Sequence, residues 1–137
     1  MTAYVVDASV VVSYLLNQNP QITSFTKLLI AQALKKQVFL TSTPLLYLET
    51  MNALRYNLKT KSSATLALNK ILHFPIQIHP LTSNQYLKIL DLSYQNQTTI
   101  YDTAYHVLAI SRNAIFLTCD QDYYKKAHGL GYIKLLK

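Results

Sequence analysis

Glycine is nearly absent from this chain: Gly129 and Gly131 are the only two in 137 residues. A phosphate-cradling loop needs several glycines close together. Neither the P-loop nor the usual dinucleotide fingerprint is present, and nucleotide-cofactor chemistry is disfavoured. Cys119 is the single cysteine, which rules out an internal disulfide and a cysteine-built zinc site. The four histidines, His73, His79, His106 and His128, lack the spacing of a zinc hydrolase. No apolar run approaches the ~20 residues of a membrane span, and the first segment has no basic stretch or small-residue cleavage site. A cytoplasmic protein without membrane contact is expected. Repeats, low-complexity stretches and linkers are also missing, so residues 1–137 are read as one domain.

Acids are scarce as well. Six Asp and Glu stand against 13 Lys and Arg, for a net charge of +7. Such an excess favours polyanionic partners through counterion release, although by itself the signal is weak. Half of the residues are hydrophobic, which implies a packed core rather than disorder.

What is there alternates between short β-branched runs and helical patterns. Ala3 to Val6 reads as a buried strand ending at Asp7, and Ala8 to Leu16 as an apolar helix. Ile22 to Lys36 is amphipathic. Val38 to Thr41 is a second strand. Thr43 and Pro44 supply a cap and a first-turn proline for a helix to about Lys59. A helix over Ala64 to Phe74 follows, then a strand Ile76 to His79 that Pro80 pushes towards a sheet edge. Thr82 with Gln85 forms a capping-box pattern ahead of a helix from Ser83 to about Tyr94. Ile100 to Arg112 is helical, Ile115 to Thr118 a strand, Gln121 to His128 a short helix stopped at Gly129, and Tyr132 to Leu136 a last strand. This order predicts an α/β layered domain with a mostly parallel central sheet of about five strands flanked by helices.

The acids occupy unusual positions. Asp7 and Asp120 each follow a strand, where open α/β sheets bind ligands; each is also suited to cap the helix that comes next. Glu49 lies on a helix whose Leu46, Leu48, Met51 and Leu54 make it apolar nearly all round, which predicts burial. A buried carboxylate then needs a partner such as Arg55 or Lys59, or a metal. Asp102 opens a helix, where an acid also suits the helix dipole. Together the four suggest one metal-binding cluster. Hard cations such as Mg²⁺ or Mn²⁺ take oxygen ligands, and a site of that kind polarises phosphoryl groups and activates water.

Four stretches carry a resemblance in their order and spacing: Val5-Val6-Asp7-Ala8-Ser9, Glu49-Thr50-Met51-Asn52-Ala53-Leu54, Tyr101-Asp102-Thr103-Ala104-Tyr105-His106-Val107-Leu108-Ala109, and Leu117-Thr118-Cys119-Asp120. On these the chain resembles PIN-domain nucleases, of the kind found among VapC-type ribonuclease toxins, over essentially its whole length. The resemblance implies a Rossmann-like, three-layer fold and Mg²⁺- or Mn²⁺-dependent hydrolysis of RNA phosphodiesters. It implies Asp7, Glu49, Asp102 and Asp120 as catalytic metal ligands, with Ser9, Asn52 and Thr118 in support and Asp122 as an additional acid of open role. Toxins of this type commonly form homodimers and are blocked by a cognate antitoxin protein whose tail enters the acidic groove. Alternatives are a PIN nuclease of RNA processing or decay, a catalytically silent RNA-binding scaffold, and a phosphatase of another α/β fold.

Other residues carry weaker signals. Lys59 and Lys61, and Lys125 and Lys126 beside Tyr123 and Tyr124, are candidate RNA contacts; a solvated helix end is the competing reading for the first pair. His106 reads as a structural histidine one turn beyond Asp102, and Cys119 as a small buried hydrophobe. Most of the eleven tyrosines fall at apparent core positions, and Asp91 reads as a surface charge.

Overall fold

The computed structural model describes residues 1–137. Its elements, in chain order, are β1 (Ala3–Val6), α1 (Ala8–Leu15), α2 (Pro20–Leu34), β2 (Phe39–Ser42), α3 (Leu45–Asn57), α4 (Lys61–Leu72), β3 (Ile76–Ile78), α5 (Ser83–Asn96), α6 (Ile100–Ser111), β4 (Ile115–Thr118), α7 (Gln121–Ala127) and β5 (Ile133–Leu135). The five strands form one parallel sheet in the order β3-β2-β1-β4-β5. β1 is central, with Val5 in register with Thr41 on one side and Phe116 on the other. The expected edge position of β3 is observed.

Phe116, Leu117 and Thr118 of β4 are buried in succession, as are Leu40, Thr41 and Ser42 of β2. Successive strand side chains point to opposite faces, so both faces of the sheet are covered and the fold has three layers. α5 packs along α6, α6 lies against β1 and β4, and α1 joins α2 and α3. The main core combines Val5, Val6, Val10, Leu46, Leu108, Phe116 and Leu117. Fully burying a side chain such as Phe116 contributes about 1.5–3 kcal/mol. No helix is long and apolar enough to cross a membrane.

Local chemistry explains the helix starts. Asn19 caps α2 ahead of Pro20 at the first turn, Thr60 caps α4, and Thr82 with Gln85 closes the expected capping box of α5. Three expectations need correction. α4 begins at Lys61 rather than Ala64, because the Thr60 hydroxyl accepts from Ser63 N at 3.1 Å. α7 is not ended by Gly129. The chain continues through a 3-10 turn, His128–Leu130, and reverses at Gly131, whose φ of +75° is the left-handed conformation that glycine allows. α3 is not buried all round: Leu46, Thr50 and Leu54 face the core, whereas Leu48 is 66% exposed and Tyr56 81%.

The sheet order sets the site. From β1 the chain crosses to β2 and β3 on one side, and later to β4 and β5 on the other. The carboxyl ends of β1 and β4 therefore flank the topological switch point, where parallel sheets leave a crevice.

Candidate acidic active site

Asp7 follows β1 and is 3% exposed. Its Oδ1 accepts from the Ser9 hydroxyl at 2.5 Å and from Val10 N at 3.2 Å, which caps α1. Its Oδ2 accepts from the Thr118 hydroxyl at 2.8 Å, across from β4. The capping and functional readings of Asp7 are thus compatible. The same two hydroxyls tie the loops after β1 and β4 together: Ser9 Oγ accepts from Cys119 N at 3.0 Å, and Thr118 Oγ1 from Asp120 N at 3.1 Å. Asp120 in turn caps α7, its Oδ1 accepting from Tyr123 N at 3.0 Å.

The other two acids come from helices. Glu49 of α3 is half-buried and meets neither Arg55 nor Lys59; instead its Oε1 accepts from the Tyr105 hydroxyl at 2.5 Å. Asp102, in the first turn of α6, takes the Thr99 hydroxyl on Oδ2 at 2.9 Å, while the Thr99 oxygen caps Asp102 N at 3.1 Å.

The electrostatics link the four. Burial pushes Asp7 up to about 6, opposed by the bonds from Ser9, Thr118 and Val10 and reinforced by the charge of Asp102. Glu49 is raised by burial and again by Asp102, against the Tyr105 bond. Asp102 is itself raised by burial and by Asp120, against the Thr99 bond. Asp102 is therefore the hub of a like-charged set. Every donor to these carboxylates is a hydroxyl or backbone amide, with no lysine or arginine among them. Each acid also retains acceptor capacity. Glu49 Oε2, Asp102 Oδ1 and Asp120 Oδ2 accept no protein hydrogen bond, and Asp7 Oδ2 accepts only one of the two it can hold. No three Asp, Glu, His or Cys side chains converge at ligand distance around one point. The donor set left over, hard oxygens with uncompensated charge, is the kind that Mg²⁺ or Mn²⁺ takes.

A cleft of about 480 Å³ opens beside Glu49, lined also by Ser9, Ser13, Asn19 and Cys119, while Asp7, Asp102 and Asp120 do not line it. Cys119 is half-buried, and burial pushes its thiol up to about 11, so it is an inert thiol there.

The remaining candidates lie further out. Asn52 stands exposed on α3 without a hydrogen bond to Glu49, the role that Tyr105 fills. Asp122 is exposed in the first turn of α7. Lys59 and Lys61 line a separate groove between α3 and α4 with Met51, Leu54 and Leu68. Lys125 is exposed, and Lys126 donates to the Gln97 carbonyl at 3.1 Å. Tyr123 is buried and cannot offer a stacking face. Its hydroxyl meets His106 Nδ1 at 2.7 Å, while His106 Nε2 meets the Gly131 carbonyl at 2.7 Å. Since that carbonyl can only accept, Nε2 carries the proton and Nδ1 accepts from Tyr123. His106 is structural, as expected, and burial keeps it neutral by lowering its pKa. The tyrosines as a class depart from expectation. Only Tyr105 and Tyr123 are fully buried, and Tyr56, Tyr86, Tyr94, Tyr101 and Tyr132 are exposed.

A model of the PIN domain matches residues 4–129 of this sequence. The chain belongs to the PIN domain family. Solved structures with the same fold include VapBC2 from Rickettsia felis bound to a DNA fragment from their promoter, at a TM-score of 0.70 and 15% identity over 98% of each chain. VapC20 of Mycobacterium tuberculosis, a sarcin-ricin loop cleaving toxin, matches with a TM-score of 0.65 and 12% identity, over 90% of this chain and 95% of that one. A toxin–antitoxin complex from Klebsiella pneumoniae matches with 0.62 and 13%, over 96% and 95%. At such identities the likeness is one of fold. No curated protein sequence matches.

Two groups of this PIN domain escaped sequence reasoning. Thr99 had a local signal, a threonine three residues ahead of an acid at a helix start. Tyr105 had only its place one turn beyond Asp102, and its partner on α3 is set by tertiary packing.

Proposed function

We propose that this PIN domain, formed by residues 1–137 as one unit, is a divalent-metal-dependent endoribonuclease and the toxin of a toxin–antitoxin pair. The observation that carries the reading is the set of Asp7, Glu49, Asp102 and Asp120. They are coupled through Asp102, partnered by no cation, and each has acceptor capacity to spare. Burial and neighbouring like charge raise Asp7, Glu49 and Asp102 above their ordinary values at a cost to stability, and a fold tolerates this where the charge has a use.

In this reading the four carboxylates hold Mg²⁺ or Mn²⁺. The cation supplies Lewis acidity at a phosphoryl oxygen and activates water. Ser9 and Thr118 fix the Asp7 carboxylate between two strand ends, and Thr99 fixes Asp102. Asn52, exposed on the same helix as Glu49, is left to contact RNA, and Asp122 is a spare acid beside Asp120. The surface lysines, Lys59, Lys61, Lys125 and Lys126 among them, attract the phosphate backbone, in keeping with the net charge of +7. Such a substrate places the protein's work in the cytoplasm.

Association follows from a second surface. Leu48 of α3, Tyr86 and Leu90 of α5, and Ile100 and Tyr101 of α6 surround an apolar groove of about 580 Å³, all of them exposed. A contiguous apolar patch of this kind marks an interface, and a second copy of the chain is its occupant in this proposal. An antitoxin protein is the other partner, by analogy with the toxin–antitoxin complex of the same fold.

The test is incubation of total RNA with the purified protein and Mg²⁺ or Mn²⁺, beside Asp7→Asn. Discrete metal-dependent fragments that vanish in the variant and in EDTA are expected. Cleavage undiminished in Asp7→Asn, or full activity in excess EDTA, overturns the mechanism. For the toxin role, expression should arrest growth, and co-expression of an adjacent small open reading frame should relieve it.

A further inference from the structure

Glu49 differs from the other three acids in how it is held. Asp7, Asp102 and Asp120 bond to groups within a few residues of themselves, in addition to the Thr118 bridge. Glu49 is held from another helix, 56 residues away, by a single phenol. Its side chain has three rotatable bonds and is half-exposed, so without that anchor it would sample several rotamers. Tyr105 is the opposite. It is 1% exposed, and its ring stacks on Phe116 with centroids 6.0 Å apart and planes inclined by 12°. Phe116 is itself fully buried in β4. Thr43, just after β2, lies near the Tyr105 hydroxyl. A carboxylate can only accept, so the single phenolic proton goes to Glu49.

The sheet core thus fixes a ring, the ring fixes Oε1 of Glu49, and Oε2 remains without a protein partner. α6 does two things with one face: it presents Asp102 and, one turn on, aims a rigid donor at the carboxylate of α3. We propose that Tyr105 is a positioning residue that pre-sets Glu49 for a divalent cation, so that removing one phenolic oxygen weakens cation binding without removing a ligand. The inference rests on the metal-site reading above. Donors that orient a ligating carboxylate usually contribute 10–100-fold to metal affinity.

Tyr105→Phe keeps the stacked ring and leaves Glu49 half-exposed to water, so the carboxylate itself is not stranded. The experiment measures Mn²⁺ binding by the loss of the free-ion EPR signal in wild type, Tyr105→Phe, Glu49→Ala and the double variant. Melting curves report the fold of each. Tyr105→Phe should weaken Mn²⁺ binding by about 10-fold. In the Glu49→Ala background the same change should alter it by less than about 2-fold, since the groups act as a pair. The Mn²⁺ concentration for half-maximal RNA cleavage should rise by the same factor, with the rate at saturating Mn²⁺ largely kept. A merely structural tyrosine would lower the melting temperature equally in both backgrounds and leave Mn²⁺ affinity in place. That outcome, or equal weakening in both backgrounds, overturns the inference while the metal site stands. Absence of specific Mn²⁺ binding in wild type overturns the metal reading and this inference with it.

Discussion

Thr118 donates its hydroxyl proton to Asp7 Oδ2 across 2.8 Å, joining the ends of two neighbouring strands that are 111 residues apart in the chain. The Thr118 oxygen simultaneously accepts from Asp120 N. Thr118→Val keeps the shape and β propensity but strands a buried carboxylate oxygen and an amide. A loss of about 1–3 kcal/mol is expected in urea denaturation, with most of it restored by Thr118→Ser. An unchanged midpoint in the valine variant would show that the bridge carries no net stability.

The pKa of Asp7 gives a signed pH dependence. Its folded value of about 6 lies above the ordinary 3.8, so its contribution to stability is fully present below 3.8 and is lost as pH rises through about 6. Glu49 and Asp102 are shifted in the same direction. His106, shifted down, works in the opposite sense, because its neutral buried form loses stability as pH falls below 6.5. The difference between wild type and Asp7→Asn isolates the one group. In EDTA, the asparagine variant should gain on wild type by about 2.4 kcal/mol between pH 4 and pH 7.5. A constant difference across that range would contradict the buried charge.

Asp102 is the hub of the coupled acids, and divalent cations should report it through stability. At roughly ten times its Kd, Mn²⁺ bound only to the folded state adds about 1.4 kcal/mol, or a rise of about 3–6 °C in Tm for a chain of this size. Matched monovalent salt should give less, because screening is not site binding. Asp102→Asn should blunt the Mn²⁺ response and raise the Tm of the metal-free protein, since it removes the charge that opposes both Asp7 and Glu49. If the wild type shows no specific divalent shift, the acids do not form a cation site.

Leu48 is 66% exposed within the apolar groove of α3, α5 and α6. Wild type should have the mass of a dimer in light scattering at micromolar concentration. Leu48→Lys should be monomeric while changing the stability of the monomer by no more than about 0.5 kcal/mol, as exposed substitutions do. A wild type that stays monomeric throughout that range removes the second copy as the occupant of this surface.

Much of this architecture is local and therefore legible. Alternating patterns give strands and helices, and threonines at positions 60 and 82 give caps. The two acids that follow strands, Asp7 and Asp120, are visible because strand ends show in hydrophobic periodicity alone. Even there the local rules over-reach. Gly129 looks like a helix stop, yet the left-handed residue is Gly131, since either glycine satisfies the same signal. Leu48 and Tyr56 look like core on a helix wheel and are exposed, because apolar periodicity does not distinguish a buried face from one awaiting a partner.

The amino-acid sequence by itself determined the elements, the α/β class and the identity of four unusual carboxylates, since these follow from side-chain chemistry within a few residues. Tertiary structure alone decided how the four are held. Glu49 meets Tyr105 rather than Arg55, His106 spends both nitrogens on Tyr123 and Gly131, and Asp102 is the acid that couples the set. Those pairings span from 17 to 56 residues, and from Asp7 to Thr118 they span 111. Partners so far apart are set by the order β3-β2-β1-β4-β5 and by which helix lies against which strand. That order emerges from the packing of the whole core, and no short stretch of sequence encodes it.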